Sequence, residues 1–259
     1  MKKILDLKVC RNDRISDHHV LLRLTHEEML HELLPGQFVE VRIDQTPSVF
    51  LRRPVSICFV DRAANELWLL VAMIGDGTRW IGALKAGDTV NCVLPLGNGF
   101  TADLSTLSSH HPLLIGGGVG VAPLLYLGAV LKAQGVEPTF LLGGRSAKDV
   151  LLLDEFSKYG RVLVTTEDAT MGEKGFVTNH SVLTSDRFDY IYTCGPTPMM
   201  KAVARYACEQ HIECEVSLEN MMACGLGACL CCVEKTTEGN LCVCKEGPVF
   251  NRKRLLWQS

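Results

Sequence analysis

The sequence predicts a multidomain chain: an antiparallel β-barrel over residues 1–100, an α/β domain with a parallel sheet over 101–217, and a small cysteine-rich unit over 218–259. Three observations carry that prediction. Up to about Gly99 short apolar runs alternate with turn residues; from His111 the rhythm becomes apolar strand followed by helical segment; after Leu218 periodicity gives way to glycines and cysteines. A length of 259 residues also exceeds the usual single-domain size.

The barrel strands read as runs such as Phe38 to Ile43 and Glu66 to Ala72, punctuated by turns at Pro35-Gly36, Gly75-Asp76-Gly77 and Ala86-Gly87-Asp88, with no helical segment between them. In the second domain the expected strands are 113–115, 139–142, 162–165, 190–193 and 214–217. The expected helices are 123–134, 149–158 and 198–210, with Pro123 suited to a first helical position. The tail is too small to hold itself together without a staple.

Composition narrows the function classes. With 47% hydrophobic and 21% charged residues the chain reads as globular, and a net charge of -3 gives no broad positive field for nucleic acid. Asp6, Lys8, Arg11 and Asp13 interrupt any apolar leader. The uncharged stretch from Pro112 to Leu131 approaches membrane-spanning length, but four glycines up to Gly120 and then Pro123 favour strand, loop and helix. No membrane partner is expected. The pairs His18-His19 and His110-His111 read as surface or loop residues.

Six of the twelve cysteines fall between Cys224 and Cys244. In a reducing compartment cysteines tend to hold metals rather than disulfides. Cys224, Cys229, Cys232 and Cys244 form C-x4-C-x2-C-x11-C, whose opening matches the plant-type spacing for a [2Fe-2S] cluster. Zinc is the rival, although it usually favours two C-x2-C knuckles and only one such pair exists among these four. Cys231 and Cys242 stand as possible substitutes for Cys232 and Cys244.

Two further loops suggest nucleotides. Gly116, Gly117, Gly118 and Gly120 follow an apolar strand and open a helix, the context in which a backbone approaches a pyrophosphate. The alternative is a tight structural turn. Arg52-Arg53-Pro54-Val55-Ser56 and Gly75-Asp76-Gly77-Thr78 each offer groups for a phosphate or ring edge, and each also reads as an ordinary strand end or turn.

In order along the chain, Arg53-Pro54-Val55-Ser56, Gly77-Thr78, the loop from Gly116, Cys194-Gly195-Pro196-Thr197-Pro198-Met199-Met200 and the tail from Cys224 to Phe250 resemble one family. It is the ferredoxin–NADP reductase-like flavoproteins, and within them the electron-transfer subunits of class 1B dihydroorotate dehydrogenases. The likeness covers nearly the whole chain. It implies FAD on Arg53, Pro54, Val55, Ser56, Gly77 and Thr78, with backbone contacts from Leu70, Val71 and Ala72. The broader reductase family has tyrosine at the position of Val55, so stacking on the flavin from there is lost.

The resemblance places the glycine loop and Cys194, Gly195 and Pro196 on the NAD side, with Cys194 near the nicotinamide or, alternatively, a small residue buried at a strand end. Glu167 and Asp168 stand where NADP-using relatives receive the 2′-phosphate, and acidic groups there favour NAD. The implied partner is an FMN-containing dihydroorotate dehydrogenase catalytic subunit, two of each forming a heterotetramer in the cytoplasm. The rival readings are the flavin and iron–sulfur subunit of a ferredoxin-dependent NAD(P) oxidoreductase, which has aspartate in place of the first cluster cysteine, and a zinc-stapled adaptor without redox activity.

Overall fold

The computed structural model describes residues 2–30, 32–44, 48–103 and 111–257. The expectation for His110 lies outside the described residues; His18 and His111 are exposed and His19 is half-buried.

The first domain is a closed antiparallel barrel built from β1 (Lys3–Ser16), β2 (His19–Thr25), β3 (Phe38–Val41), β4 (Arg53–Asp61), β5 (Glu66–Ala72) and β6 (Thr89–Leu96), joined in the order β1-β2-β5-β4-β3-β6. Closure removes exposed strand edges. Alternate residues point inward, so Val39, Val41, Val55, Ile57, Leu67, Leu69 and Val71 share one core. Contrary to the sequence expectation, a helix does interrupt the strands: α1 (Asp76–Ala83) lies between β5 and β6. Its two glycines weaken the helical pattern in sequence, and it is held by tertiary contacts instead. Ile81 is fully buried, and the Asn12 side chain donates to the carbonyls of Ile81 and Leu84 at 3.0 Å each, closing the helix's C-terminal end.

In the second domain β7 (Pro112–Gly117), β8 (Thr139–Gly144), β9 (Arg161–Thr166), β11 (Tyr190–Cys194) and β12 (Glu213–Ser217) run parallel, with the short β10 (Glu173–Lys174) beside β9. All five predicted strands are present. Helices α2 (Ala122–Ala133) and α5 (Thr197–Glu209) match expectation within a residue. The third does not. Only α3 (Leu153–Ser157) is helical within 149–158, because Leu152 takes a left-handed φ of 56° and residues Ala147–Asp149 form a separate turn. The short α4 (Val182–Ser185) was not anticipated. The stretch from Pro112 to Leu131 is strand, turn and helix, and no helix among the described residues is long and apolar enough to cross a membrane.

The tail contains the hairpin β13 (Val233–Thr236) and β14 (Gly239–Cys242), then α6 (Val243–Glu246) and β15 (Val249–Asn251). β15 adds antiparallel to β12, completing the order β10-β9-β8-β7-β11-β12-β15. Asn98 at the barrel's end donates its N–H to Gly247 O at 2.6 Å, and Leu218 donates to Pro248 O at 2.9 Å. Cys232, Val243, Cys244 and Phe250 share a core with Ile115 and Ile191 of the sheet and Phe38 and Leu96 of the barrel. The tail is therefore stapled by packing and backbone pairing as well as by its cysteines.

Candidate functional site

The parallel sheet grows outward from β7, to β8 on one side and to β11 on the other. That reversal is where open α/β sheets bind ligands, beyond the carboxyl ends of the strands. Gly116-Gly117 and Cys194 end those two strands. A methyl added at Gly120 would lie 2.4 Å from Gly195 Cα, and one at Gly117 would lie 2.7 Å from Met199 Sδ, so the two predicted loops are pressed together and side chains are excluded.

An open cleft of about 260 Å³ lies where these loops face the barrel. Pro54, Val55, Ser56, Leu70, Val71, Ala72 and Thr78 line it from the barrel side, and Val119 and Ala122 from the glycine loop and the start of α2. Seven predicted flavin residues are thus brought together. Val55 and Val71 belong to the barrel core, leaving Pro54, Ser56 and Ala72 less buried toward the cleft. The sequence reading missed Phe38, Ile74, Leu218, Glu219, Asn220, Met222 and Pro248, which complete the lining. The only signal for the 218–222 segment was its position just beyond the carboxyl end of a strand.

Arg53 and Gly77 stand beside this cleft as a unit. A methyl on Gly77 would sit 2.8 Å from Arg53 Nε, so the guanidinium lies across the first turn of α1. Arg53 Nη1 donates to the carbonyls of Leu51 (2.8 Å) and Arg52 (3.2 Å). Thr78 Oγ1 accepts from Ile74 N (3.0 Å) and Gly75 N (3.1 Å), fixing the turn ahead of the helix. A cation over a helix N-terminus suits a phosphate.

Cys194 is fully buried and meets the cleft through Glu219: its Sγ donates to Glu219 Oε1 at 3.9 Å. Burial lifts its thiol well above the ordinary value, as does the Glu219 charge. Glu219 borders open water in the cleft, yet the protein crowded about its carboxyl pushes that group up too. Glu167 and Asp168 are exposed just past the end of β9, at the same carboxyl end of the sheet as Gly117 but outside the cleft. The Asp168 carboxylate accepts from Thr170 Oγ1 (2.6 Å) and Thr170 N (3.0 Å), which hold it below the usual range. The main-chain carbonyl of Arg145, exposed at the end of β8, accepts from Asp168 N at 3.2 Å.

In the tail, Leu226 N donates to Cys224 Sγ at 3.3 Å and Gly227 N to Cys244 Sγ at 3.0 Å. Cys244 N donates to Cys232 Sγ at 3.4 Å. Donation from Leu226, reinforced at Cys229 and Ala228, holds the Cys224 thiol down at about 6. Burial, then Cys232, pushes Cys244 up to about 12, so it becomes a thiolate only beside a cation. Among the described residues no three His, Cys, Asp or Glu side chains gather tightly enough for one metal ion. Cys229 helps to hold the Cys224 thiol down, and Cys232 helps to push the Cys244 thiol up. Cys224, Cys229, Cys232 and Cys244 together would supply the four thiolates that a two-iron cluster takes. Cys231 is exposed, and Cys242 Sγ donates to Gly227 O at 3.9 Å.

One more carboxylate borders this loop. Glu40 on β3 is 1% exposed, neither of its oxygens has a hydrogen-bond partner, and burial raises its pKa to about 7 against the pull of Arg52.

The profile of the iron–sulfur cluster binding domain of dihydroorotate dehydrogenase B matches residues 219–256, and that of the oxidoreductase NAD-binding domain matches 114–205. Among solved structures, the NADH-dependent reduced ferredoxin-NADP oxidoreductase superposes with a TM-score of 0.86 at 28% identity, over 97% of this chain and 90% of that one. A ferredoxin NADP+ reductase from Neisseria gonorrhoeae, solved with FAD and NADP, shares the fold at a TM-score of 0.66 and 14% identity, over 80% of this chain and 91% of that one. The dihydroorotate dehydrogenase B (NAD(+)) electron transfer subunit of Listeria monocytogenes serotype 4a is 40% identical over 95% of this chain and 96% of its own. That of Bacillus velezensis is 40% identical over 98% and 99%. With this identity sustained from barrel to cysteine tail, the chain belongs to the family of dihydroorotate dehydrogenase B (NAD(+)) electron transfer subunits.

Proposed function

We propose that this chain is the electron-transfer subunit of an NAD+-dependent dihydroorotate dehydrogenase, carrying electrons from the FMN of a separate catalytic subunit through a [2Fe-2S] cluster and FAD to NAD+ in pyrimidine biosynthesis. The observation that carries the reading is a convergence. The cleft bounded by Pro54 and Ser56 is also bounded by the glycine loop and by the 218–222 segment, which leads directly into the cysteine loop. FAD suits the middle place because it takes electrons singly and gives them as a hydride.

In this reading Arg53 and the first turn of α1 bind the flavin's phosphates, while Pro54, Ser56 and the β5 backbone at Leu70 to Ala72 orient its ring. Gly116, Gly117, Gly118 and Gly120, with Gly195 and Pro196, admit the nicotinamide nucleotide close to the backbone. Glu219, backed by Cys194, supplies a group of raised pKa at the cleft. Glu167 and Asp168 favour NAD over NADP. Cys224, Cys229, Cys232 and Cys244 hold the cluster. A cytoplasmic heterotetramer with two catalytic subunits fits this division of labour.

The likeness to a ferredoxin-NADP oxidoreductase is the observation that favours the second reading. Reconstitution separates the two. The purified chain should reduce a dye with NADH and form no orotate alone, then support NAD+-linked orotate formation once the catalytic subunit is added. Exchange of electrons with reduced ferredoxin but not with that subunit would favour the rival.

A further inference from the structure

Glu40 is placed between the cluster loop and the flavin cleft. It pairs across β3 and β4 with Pro54, which lines the cleft, as does Phe38 two residues earlier. On its other side it meets the cysteine loop. A methyl on Gly225 would fall 2.8 Å from Glu40 Cγ and 2.9 Å from Oε1, and Gly225 adopts φ +65° immediately after Cys224. Only glycine suits both the contact and the backbone there.

The nearby cations leave this carboxylate unpaired. Arg52 Nη1 donates to the Glu40 main-chain oxygen at 3.2 Å and to Asn91 O at 3.1 Å, while Nη2 donates to Asn91 Oδ1 at 2.6 Å. Arg53 Nη1 is engaged with the carbonyls of Leu51 and Arg52. A buried carboxylate without hydrogen bonds is expensive, and an amide of the same shape would fill the space as well. Packing alone therefore gives no reason for a carboxylate. The property left is its negative charge beside the loop. Reducing a cluster adds an electron, so an ionised carboxylate nearby disfavours the reduced form, and clusters are poised by such local charge.

We propose that Glu40 is a positioning residue for the iron–sulfur centre: its carboxylate seats Gly225 and lowers the cluster's reduction potential, favouring onward transfer to the flavin. The inference rests on the cluster assignment made above.

The experiment is a redox titration of the cluster in the FAD-loaded chain, followed by electron paramagnetic resonance at pH 8.5, for wild type, Glu40→Gln and Glu40→Asp, with iron and sulfide content measured in each. Glu40→Gln should keep wild-type iron, sulfide and FAD while raising the reduced-to-oxidised ratio at fixed ambient potential by about tenfold, 59 mV for a one-electron couple. Glu40→Asp, which keeps the charge but withdraws it by a methylene, should shift the same way by less. Full cluster content with a wild-type potential in Glu40→Gln overturns the proposal. If Glu40→Gln assembles no cluster, Glu40→Asp decides it, and an unchanged potential there overturns it equally. Wild-type chain lacking a two-iron signal would instead defeat the cluster assignment, a distinct outcome.

Discussion

Replacing Arg53 by alanine tests the proposed phosphate site most directly, because a second variant tests the geometry independently. A charge-assisted contact to phosphate contributes roughly 1.5–3 kcal/mol, so Arg53→Ala should weaken FAD binding by about one to two decades. Gly77→Ala should weaken it too, for a steric reason. Its new methyl would stand 2.8 Å from Arg53 Nε, closer than such contacts allow, and the flexible guanidinium must move away from the helix end. On helix propensity alone Gly77→Ala would be favourable by up to about 1 kcal/mol, so a loss of affinity cannot be ascribed to a weakened α1. With Arg53 already removed the clash disappears, and the double variant should bind FAD about as tightly as Arg53→Ala alone. The assay is calorimetric titration of the flavin-free proteins with FAD. Additive losses would refute the argument that Gly77 acts through Arg53, and an unchanged affinity in Arg53→Ala would remove that residue from the site.

Cys229→Ser should abolish the two-iron signal and Cys231→Ser should spare it, since the C-x4-C-x2-C-x11-C spacing takes in Cys229 and omits Cys231; iron content and paramagnetic resonance check both. NADH should be preferred to NADPH in dye reduction, and Glu167→Ala should narrow that preference about tenfold or more, because Asp168 is already engaged by Thr170. Gly128→Ala should destabilise the chain by about 1–3 kcal/mol in chemical denaturation, as its methyl would lie 2.2 Å from the buried Phe140 ring. The folded Glu40 pKa of about 7 lies above its ordinary 4.5, so the folded state holds that proton more tightly and loses stability as pH rises through 7. Glu40→Gln should match wild type in stability near pH 4 and exceed it by up to about 3 kcal/mol at pH 8, measured by denaturation at both values.

What was legible in the sequence follows from how local each signal is. The strand of Leu113, Leu114 and Ile115 feeding a glycine loop and Pro123 announces a βα unit within a dozen residues, and the structure keeps it. The cysteine spacing is likewise a local record of a loop. By contrast α1 is held through Ile81 and Asn12, and the latter is far away in sequence. Leu152 breaks a helix through a left-handed φ that leucine composition does not advertise. Glu40 lies in an alternating strand where polarity by itself gives no sign of burial; its burial arises because the cysteine loop, nearly two hundred residues later, closes over it. Phe38, Glu219 and Pro248 line the cleft for the same reason, through long-range closure.

That closure also explains why the tail works as part of the electron path rather than as an appendage. An independent cluster domain on a linker would sample many distances from the flavin cleft, and electron transfer would wait on its arrival. Here the tail is fixed at three places: β15 pairs with β12, Asn98 of the barrel's end binds Gly247, and Gly225 rests on Glu40. Each contact joins the tail to a different part of the cleft's surroundings. Between β12 and the cysteine loop only the short 218–223 segment intervenes, and four of its residues line the cleft. The same stretch of chain therefore bounds the cleft and carries Cys224, so a shift of one displaces the other. Partner docking that moved the cysteine loop would be felt at Glu219 and Asn220, and a change of occupant in the cleft would be felt at the cluster end.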